Sequence, residues 1–263
     1  MQKELNLHNE QAWNRHAYEA WVARFGTPEE AAARMKADPG ARIRSFAGHM
    51  GDLRGKKVAN LLGSHGGKAV PMALLGASVT IVDFSAANAR YASRLAEAAG
   101  VPIRYVVADV LELPAEELTG DYDFVLMEFG ILHYFLDLAP LMATVVRLLK
   151  PGGKLILQDF HPVSTKLIQS RGTTANIRKH KVTGDYFDAS IEETEVAYAK
   201  FVPGSEGASL PKVKLRKWTL GEIVTGVASS GLHVERLEEE PNASSDVFDK
   251  GIPKTFTLVA RRL

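Results

Sequence analysis

Residues Lys57 to Gly67 read Lys-Val-Ala-Asn-Leu-Leu-Gly-Ser-His-Gly-Gly, and after a helical stretch Ala77 to Asp83 read Ala-Ser-Val-Thr-Ile-Val-Asp. Strand, glycine-containing turn, helix and a second strand closed by an acid is the order in which a chain builds half of a parallel sheet around a nucleoside-type ligand. The turn brings backbone N–H groups and a helix N-terminus close to such a ligand, and an acid ending the second strand accepts both hydroxyls of a ribose.

The alternation continues downstream. Short apolar runs at Val58–Leu62, Val79–Val82, Ile103–Val107, Phe124–Met127 and Lys154–Leu157 are separated by helical patterns at Lys68–Leu75, Ala86–Ala99 and Leu138–Leu149. This predicts an α/β fold with parallel strands covered on both faces. Two closing runs, Val234–Leu237 and Thr255–Ala260, have no helical pattern between them and are expected to pair antiparallel. The fold expectation is a Rossmann-like, doubly wound, seven-stranded sheet, mostly parallel with an antiparallel last strand.

Two further units surround this sheet. Residues 1–54 form an N-terminal helical cap: Trp13, His16, Ala17, Ala20, Trp21 and Phe25 recur at helical spacing, Gly26 stops that helix, and Thr27-Pro28-Glu29-Glu30 is a capping box with proline at the first helical position. Asp38-Pro39-Gly40 ends the next helix. Within the 55–263 domain, residues 162–217 form an insertion on the substrate side, whose segments Glu192–Phe201 and Lys212–Trp218, separated by Pro203-Gly204-Ser205-Glu206-Gly207, predict an antiparallel hairpin. Thr219 and Glu222 announce a helix that Gly231 stops.

With 263 residues, 46% of them hydrophobic, one domain with an elaboration buries a full core. Lys plus Arg number 32 against 31 Asp plus Glu, so no global field recruits nucleic acid or an anionic membrane, and recognition is local. The chain has no cysteine, which excludes disulfides, thiolate nucleophiles and cysteine zinc sites. It shows no apolar leader and no long apolar run, so no membrane span is expected and a cytoplasmic location is the simplest reading. No histidine pair or carboxylate triad stands at metal-ligand spacing, and no G-x-S-x-G frame marks a hydrolase.

Taken in order, Asn60 to His65 after the first strand, Asp83 after the second, Asp109 after the third, Met127-Glu128-Phe129 after the fourth and Leu148-Leu149-Lys150-Pro151-Gly152-Gly153-Lys154 before the fifth resemble class I S-adenosylmethionine-dependent methyltransferases. The resemblance covers residues 55–161 and, more loosely, 218–263. It implies S-adenosyl-L-methionine as cofactor, with S-adenosyl-L-homocysteine as product. Asp83 then binds the ribose, Phe84 packs on the adenine face, and Asp109 with the Val110 backbone reads the adenine edge. Leu62, Gly63, Ser64, His65, Glu128 and Phe129 surround the methionine part, with Glu128 a partner for its ammonium.

The turn departs from the family pattern: Asn60 stands where an acid is usual, Leu62 at the first glycine, Ser64 at the second and Gly66 at the third. A β-carbon at Ser64 is strained if that position needs positive φ. Pro71 is compatible with the following helix only near its first turn.

His65, His133 and His161 fall on loops at the carboxyl ends of strands, where open α/β sheets place ligands. His161, and second His133, are the candidates for a general base, since an unperturbed imidazole titrates near neutrality. Each has the alternative of a structural hydrogen bond or of lining the pocket. Tyr18, Tyr134 and Trp218 are the candidate acceptor contacts, with Tyr18 placed to cover the cofactor; Trp13 and Trp21 read as core, and the N-terminal helices and the insertion are expected to wall the acceptor pocket with aromatics that include Trp13, Tyr186, Phe187 and Tyr198. The basic clusters Arg178-Lys179-His180-Lys181 and Lys212 to Lys217 read as solvated faces.

The expected function is transfer of a methyl group to oxygen or nitrogen of a small molecule. Three alternatives stay open: a binding protein that kept the fold without the chemistry, a methyltransferase acting on RNA or protein, and, more weakly, a nicotinamide-dependent dehydrogenase. A nucleic-acid partner is not expected, and the hairpin is placed where it can pair across a homodimer.

Overall fold

The structure is a computed structural model describing residues 1–169, 181–182, 184–204, 209–241 and 251–263. Arg178, Lys179 and His180 of the first basic cluster lie outside the described residues, as do Ser205, Glu206 and Gly207 of the expected bend.

Four helices open the chain: α1 (Gln2–Asn14), α2 (Ala17–Phe25), α3 (Pro28–Ala37) and α4 (Arg44–Met50). The sheet domain follows as β1 (Lys57–Leu61), α5 (Ala69–Leu74), β2 (Ser78–Asp83), α6 (Ala86–Ala99), β3 (Arg104–Val107), β4 (Tyr122–Glu128), α7 (Ala139–Leu148) and β5 (Leu149–Phe160). The insertion contributes two antiparallel pairs, β6 (Ile168–Gln169) with β7 (Lys181–Val182), and β8 (Ile191–Glu195) with β9 (Lys212–Arg216). Helix α8 (Leu220–Ser229) and the antiparallel strands β10 (Leu232–Pro241) and β11 (Pro253–Arg262) close the chain.

The seven strands of the main sheet lie in the order β10-β11-β5-β4-β1-β2-β3. Strands β1 to β5 run parallel, and β11 enters antiparallel between β5 and β10. Side chains along each central strand alternate between two cores. Val58, Ile81, Phe124, Leu126 and Ile156 pack with Phe46 and Met50 of α4 and Met72 of α5. Ala59, Leu61, Val82, Val125, Met127, Leu155 and Leu157 pack with α7, α8 and the cap on the opposite face. Burial on both faces is why these strands read as nearly continuous apolar runs.

The helix ends follow the local chemistry. Both expected capping boxes form, Thr27 with Glu30 and Thr219 with Glu222, and Asp38 caps the end of α3. Pro71 sits in the first turn of α5, where its missing N–H costs nothing. Strand β5 begins at Leu149, five residues ahead of Lys154, because Leu149 already pairs with Tyr122 of β4.

The opening helix is not continuous. It breaks at His16 (φ −147, ψ 16), because Asn14 turns its side chain to the start of α6, accepting from the Ser85 hydroxyl at 3.0 Å and the Ala87 N–H at 3.1 Å. The freed His16 N–H donates to the Tyr198 hydroxyl, which donates in turn to the Ala12 carbonyl. Farther up α1, Asn9 exchanges two hydrogen bonds with the Lys214 backbone of β9, standing in for a strand on that edge. The cap and the insertion are thereby joined to each other.

Candidate functional site

Strand β1 lies between β2 and β4, so its carboxyl end is the point where the connections diverge and where an open sheet leaves a crevice. The turn after β1 adopts φ 48 at Leu62, φ 49 at Ser64 and φ 78 at Gly66. Two side-chain-bearing residues therefore hold the left-handed region, at a cost of about 1–2 kcal/mol each. Hydrogen bonds fix them there: the Leu62 N–H donates to Val82 at 2.6 Å, the Ser64 N–H to Asp83 Oδ2 at 3.0 Å, and Tyr105 donates to the Ser64 carbonyl at 2.9 Å. Gly63 tolerates no substituent, since a β-carbon there would stand 2.6 Å from Asn60 Oδ1. That buried amide oxygen has no donor. The Gly63 and His65 N–H groups have no acceptor among the described residues and stay available to a ligand.

Asp83 is 7% exposed and accepts from Ser85 N–H at 2.8 Å as well as from Ser64. Burial pushes its carboxyl up to about 6 against the pull of these bonds. Glu128 ends β4 on the other wall, with Oε2 3.2 Å from Lys68 Nζ in an ion pair that lacks hydrogen-bond geometry. Burial raises this carboxyl too, against the pull of the Lys68 ammonium.

Asp83, Phe84, Glu128, Phe129, Tyr134 and the turn from Leu62 to His65 share one cavity of about 440 Å³ with Trp13, Trp21, Phe25, Ile131 and Phe160. A narrow slot of about 10 Å³ leads from it between Asp83, Phe84, Asp109, Val110 and Phe135. Its far end is covered by α1, whose Asn6 Nδ2 donates to Asp109 Oδ2 at 2.5 Å. The structure thus brings together the expected residues Leu62, Gly63, Ser64, His65, Asp83, Phe84, Asp109, Val110, Glu128, Phe129 and Tyr134.

Four expected site residues lie elsewhere. His161 is 2% exposed, accepts from the Val163 N–H at Nδ1 and presents Nε2 to Glu239 of β10 at 2.6 Å, so its ring ties the end of β5 to the closing hairpin. His133 is tucked beside Gly130 and the Tyr134 ring, and burial pushes it down to about 4. Tyr18 accepts from Arg94 of α6 at 3.0 Å with Arg90 over its ring, outside the cavity. Trp218 donates to the Leu132 carbonyl at 2.9 Å under the Arg216 guanidinium, and lines a separate surface cavity of about 1060 Å³ between α7 and α8.

Other residues complete the site. Trp21, read as core, lines the wall, and so does Trp13, expected both in the core stripe and among the aromatics of the acceptor wall; Trp13 donates to the Tyr134 hydroxyl at 3.0 Å. Asp159, 6% exposed, accepts from the N–H groups of Gly130 and Phe160 and so fixes the loop after β4, including Phe129 at φ 43. Arg24, Arg42 and Lys68 supply positive charge at the rim. His65 stacks on Phe25 (4.8 Å) and lies tilted against Trp21 (4.5 Å), and burial together with these three cations drives it down to about 3, so it is neutral at physiological pH.

Residues 62–157 match the model of the family described as "Methyltransferase domain", and the chain shares the Rossmann-like fold of solved methyltransferase structures. Among curated relatives, a demethylmenaquinone methyltransferase of Thermus thermophilus is 37% identical over 87 residues, 33% of this chain and 38% of the relative. A ubiquinone biosynthesis O-methyltransferase of Xanthomonas oryzae is 36% identical over 110 residues, 42% of this chain and 45% of the relative. The chain therefore spans less than half the length of each. The structure of a putative S-adenosylmethionine-dependent methyltransferase from Listeria monocytogenes superimposes with a TM-score of 0.64 at 20% identity, covering 86% of this chain and 99% of that one. Among the described residues, no helix is long and apolar enough to cross a membrane.

Proposed function

We propose that this chain is an S-adenosylmethionine-dependent methyltransferase acting on oxygen or nitrogen of a small molecule. The observation that carries this reading is the pair of buried carboxylates, Asp83 and Glu128, facing one cavity from the carboxyl ends of neighbouring halves of the sheet. Asp83 is placed to take the ribose hydroxyls, and Phe84 to lie on the adenine. Asp109 and the Val110 backbone read the adenine edge once Asn6 withdraws from Asp109. The Glu128 carboxylate, which Lys68 reaches through Oε2, faces the methionine ammonium, and the free N–H groups of Gly63 and His65 suit its carboxylate. Leu62 and Ser64 do not argue for a disabled site, because both hold the left-handed backbone that glycine would adopt there.

When bound, S-adenosylmethionine supplies an electrophilic methyl group on a sulfonium. The chain's part is to hold an acceptor in line with it and keep water out, and positioning of this kind provides most of the rate for such a transfer. Trp13, Phe129, Ile131, Tyr134 and Phe160 offer an apolar wall for a small, ring-bearing acceptor. His65 is too weakly basic to deprotonate it, so the nucleophile enters in its reactive form. Isothermal titration with S-adenosylmethionine and S-adenosylhomocysteine tests the reading: absence of binding by either at high micromolar concentration refutes it.

A further inference from the structure

The charges around the cavity do not balance. Arg24, Arg42 and Lys68 line it against two carboxylates, Asp83 and Glu128. Lys68 is committed, paired with Glu128 and donating to the Arg42 carbonyl at 2.6 Å. Asp83 accepts from two backbone N–H groups and makes no ion pair among the described residues. Arg24 and Arg42 make no ion pair among the described residues, although both stand at the cavity mouth. They are held there by aromatic faces: the Arg24 guanidinium lies 4.8 Å from the Phe25 ring centroid and 4.3 Å from that of Phe201, and Arg42 lies 5.6 Å from Phe25. Stacking of this kind orients a guanidinium while leaving its N–H edge free for a planar anion. The two cations also repel each other, and Arg24 is correspondingly lowered by burial and by Arg42.

A bound methyl donor does not cancel this excess. Its sulfonium and ammonium outnumber its single carboxylate, so it adds positive charge to a mouth already positive. The carboxylate carries one negative charge, so it neutralises at most one of the two guanidiniums, and the Gly63 and His65 N–H groups compete for it. At least one positive charge stays uncompensated beside the apolar wall.

We propose that the methyl acceptor is an aromatic anion, whose carboxylate or phosphate is held by Arg24 and Arg42 while its ring lies against Trp13, Phe129 and Phe160. The assignment rests on the methyltransferase reading above and narrows its substrate class. An anion there neutralises the mouth, and the bidentate edge of a guanidinium fixes the ring's direction relative to the incoming methyl.

The test uses Trp13 and Trp21 as fluorescent reporters in the full chain saturated with S-adenosylhomocysteine. Benzoate is titrated against benzamide, and phenyl phosphate against phenol. At least one anion is expected to bind about tenfold or more tighter than its neutral counterpart, and whichever does so tells carboxylate from phosphate. The double variant Arg24→Gln/Arg42→Gln is expected to lose that preference while its S-adenosylhomocysteine Kd changes by less than about threefold. Equal binding of acid and neutral probe, no anion binding at millimolar concentration, or a preference surviving in the double variant overturns the proposal. Loss of S-adenosylhomocysteine binding in the double variant overturns it too, because the guanidiniums then serve the donor. If S-adenosylhomocysteine does not bind the unaltered protein, the methyltransferase reading fails by itself, and the same titrations on the cofactor-free chain decide whether the mouth selects anions.

Discussion

Replacing Asp83 by Asn separates what this carboxylate does for the ligand from what it does to the fold. Two ribose hydroxyls donating to a carboxylate are charge-assisted bonds worth about 1.5–3 kcal/mol each. The amide keeps one neutral acceptor, so about 2–4 kcal/mol is lost, equivalent to S-adenosylhomocysteine binding about 30- to 900-fold more weakly. Stability moves the other way. Burial raises the Asp83 carboxyl from 3.8 to about 6, a shift of about two units at about 1.4 kcal/mol each, so the ionised side chain penalises the native state by about 3 kcal/mol. The native state holds its proton over a range where the unfolded chain has released it, so this penalty grows as pH rises from about 4 to about 6 and is constant above. Asparagine removes the penalty but turns an NH₂ toward the Ser64 or Ser85 N–H, which returns about 1–3 kcal/mol. Urea denaturation at pH 8 should therefore show Asp83→Asn as stable as the parent or up to about 2 kcal/mol more so. Titration calorimetry should show the large loss of affinity, and the parent protein should lose affinity as pH falls below about 6, because a protonated carboxyl presents a donor to a donor. A variant that binds S-adenosylhomocysteine within about threefold of the parent would falsify the ribose assignment.

Three further substitutions probe the surroundings. Ser64→Gly relieves a side chain at φ 49 but frees the unfolded chain, for a net gain of about 0.5 kcal/mol in urea denaturation; a clear loss would show that the serine side chain stabilises the turn. Tyr198→Phe leaves the His16 N–H without a partner and the Ala12 carbonyl with the Arg15 N–H alone, and should cost about 1–3 kcal/mol, with hydrogen exchange rising at the break between α1 and α2; unchanged exchange there contradicts the role given to Tyr198. His161→Ala strips Glu239 and the Val163 N–H of their partner, so stability should fall by about 1–3 kcal/mol with S-adenosylhomocysteine affinity preserved. A fully stable variant would remove the structural role of His161.

The parts of the fold that the sequence revealed are those written in local chemistry. Apolar runs with intervening helical periodicity marked the parallel strands, and Thr27–Glu30 and Thr219–Glu222 marked helix starts through contacts three residues apart. The strain at Ser64 was also legible, since the positions of the missing glycines follow from spacing to Asp83, whereas that at Leu62 emerged only from the structure. What stayed hidden depends on partners far along the chain. Nothing near His161 announces Glu239, nothing near Trp218 announces the Leu132 carbonyl, and the break at His16 follows from Asn14 reaching Ser85 and Ala87. Arg24 and Arg42, eighteen positions apart, belong to no local motif, and only the fold sets them at one cavity.

Helix α1 does more than cover the sheet. It touches Asp109 through Asn6, the edge of β9 through Asn9, Tyr198 through the Ala12 carbonyl and Tyr134 through Trp13. A shift that frees the carboxylate of Asp109 drags the aromatic flank of the cavity with it. On the proposed function, a donor reaching Asp109 and an acceptor lying against Trp13 would both meet this one helix, so α1 couples the two ends of the cavity.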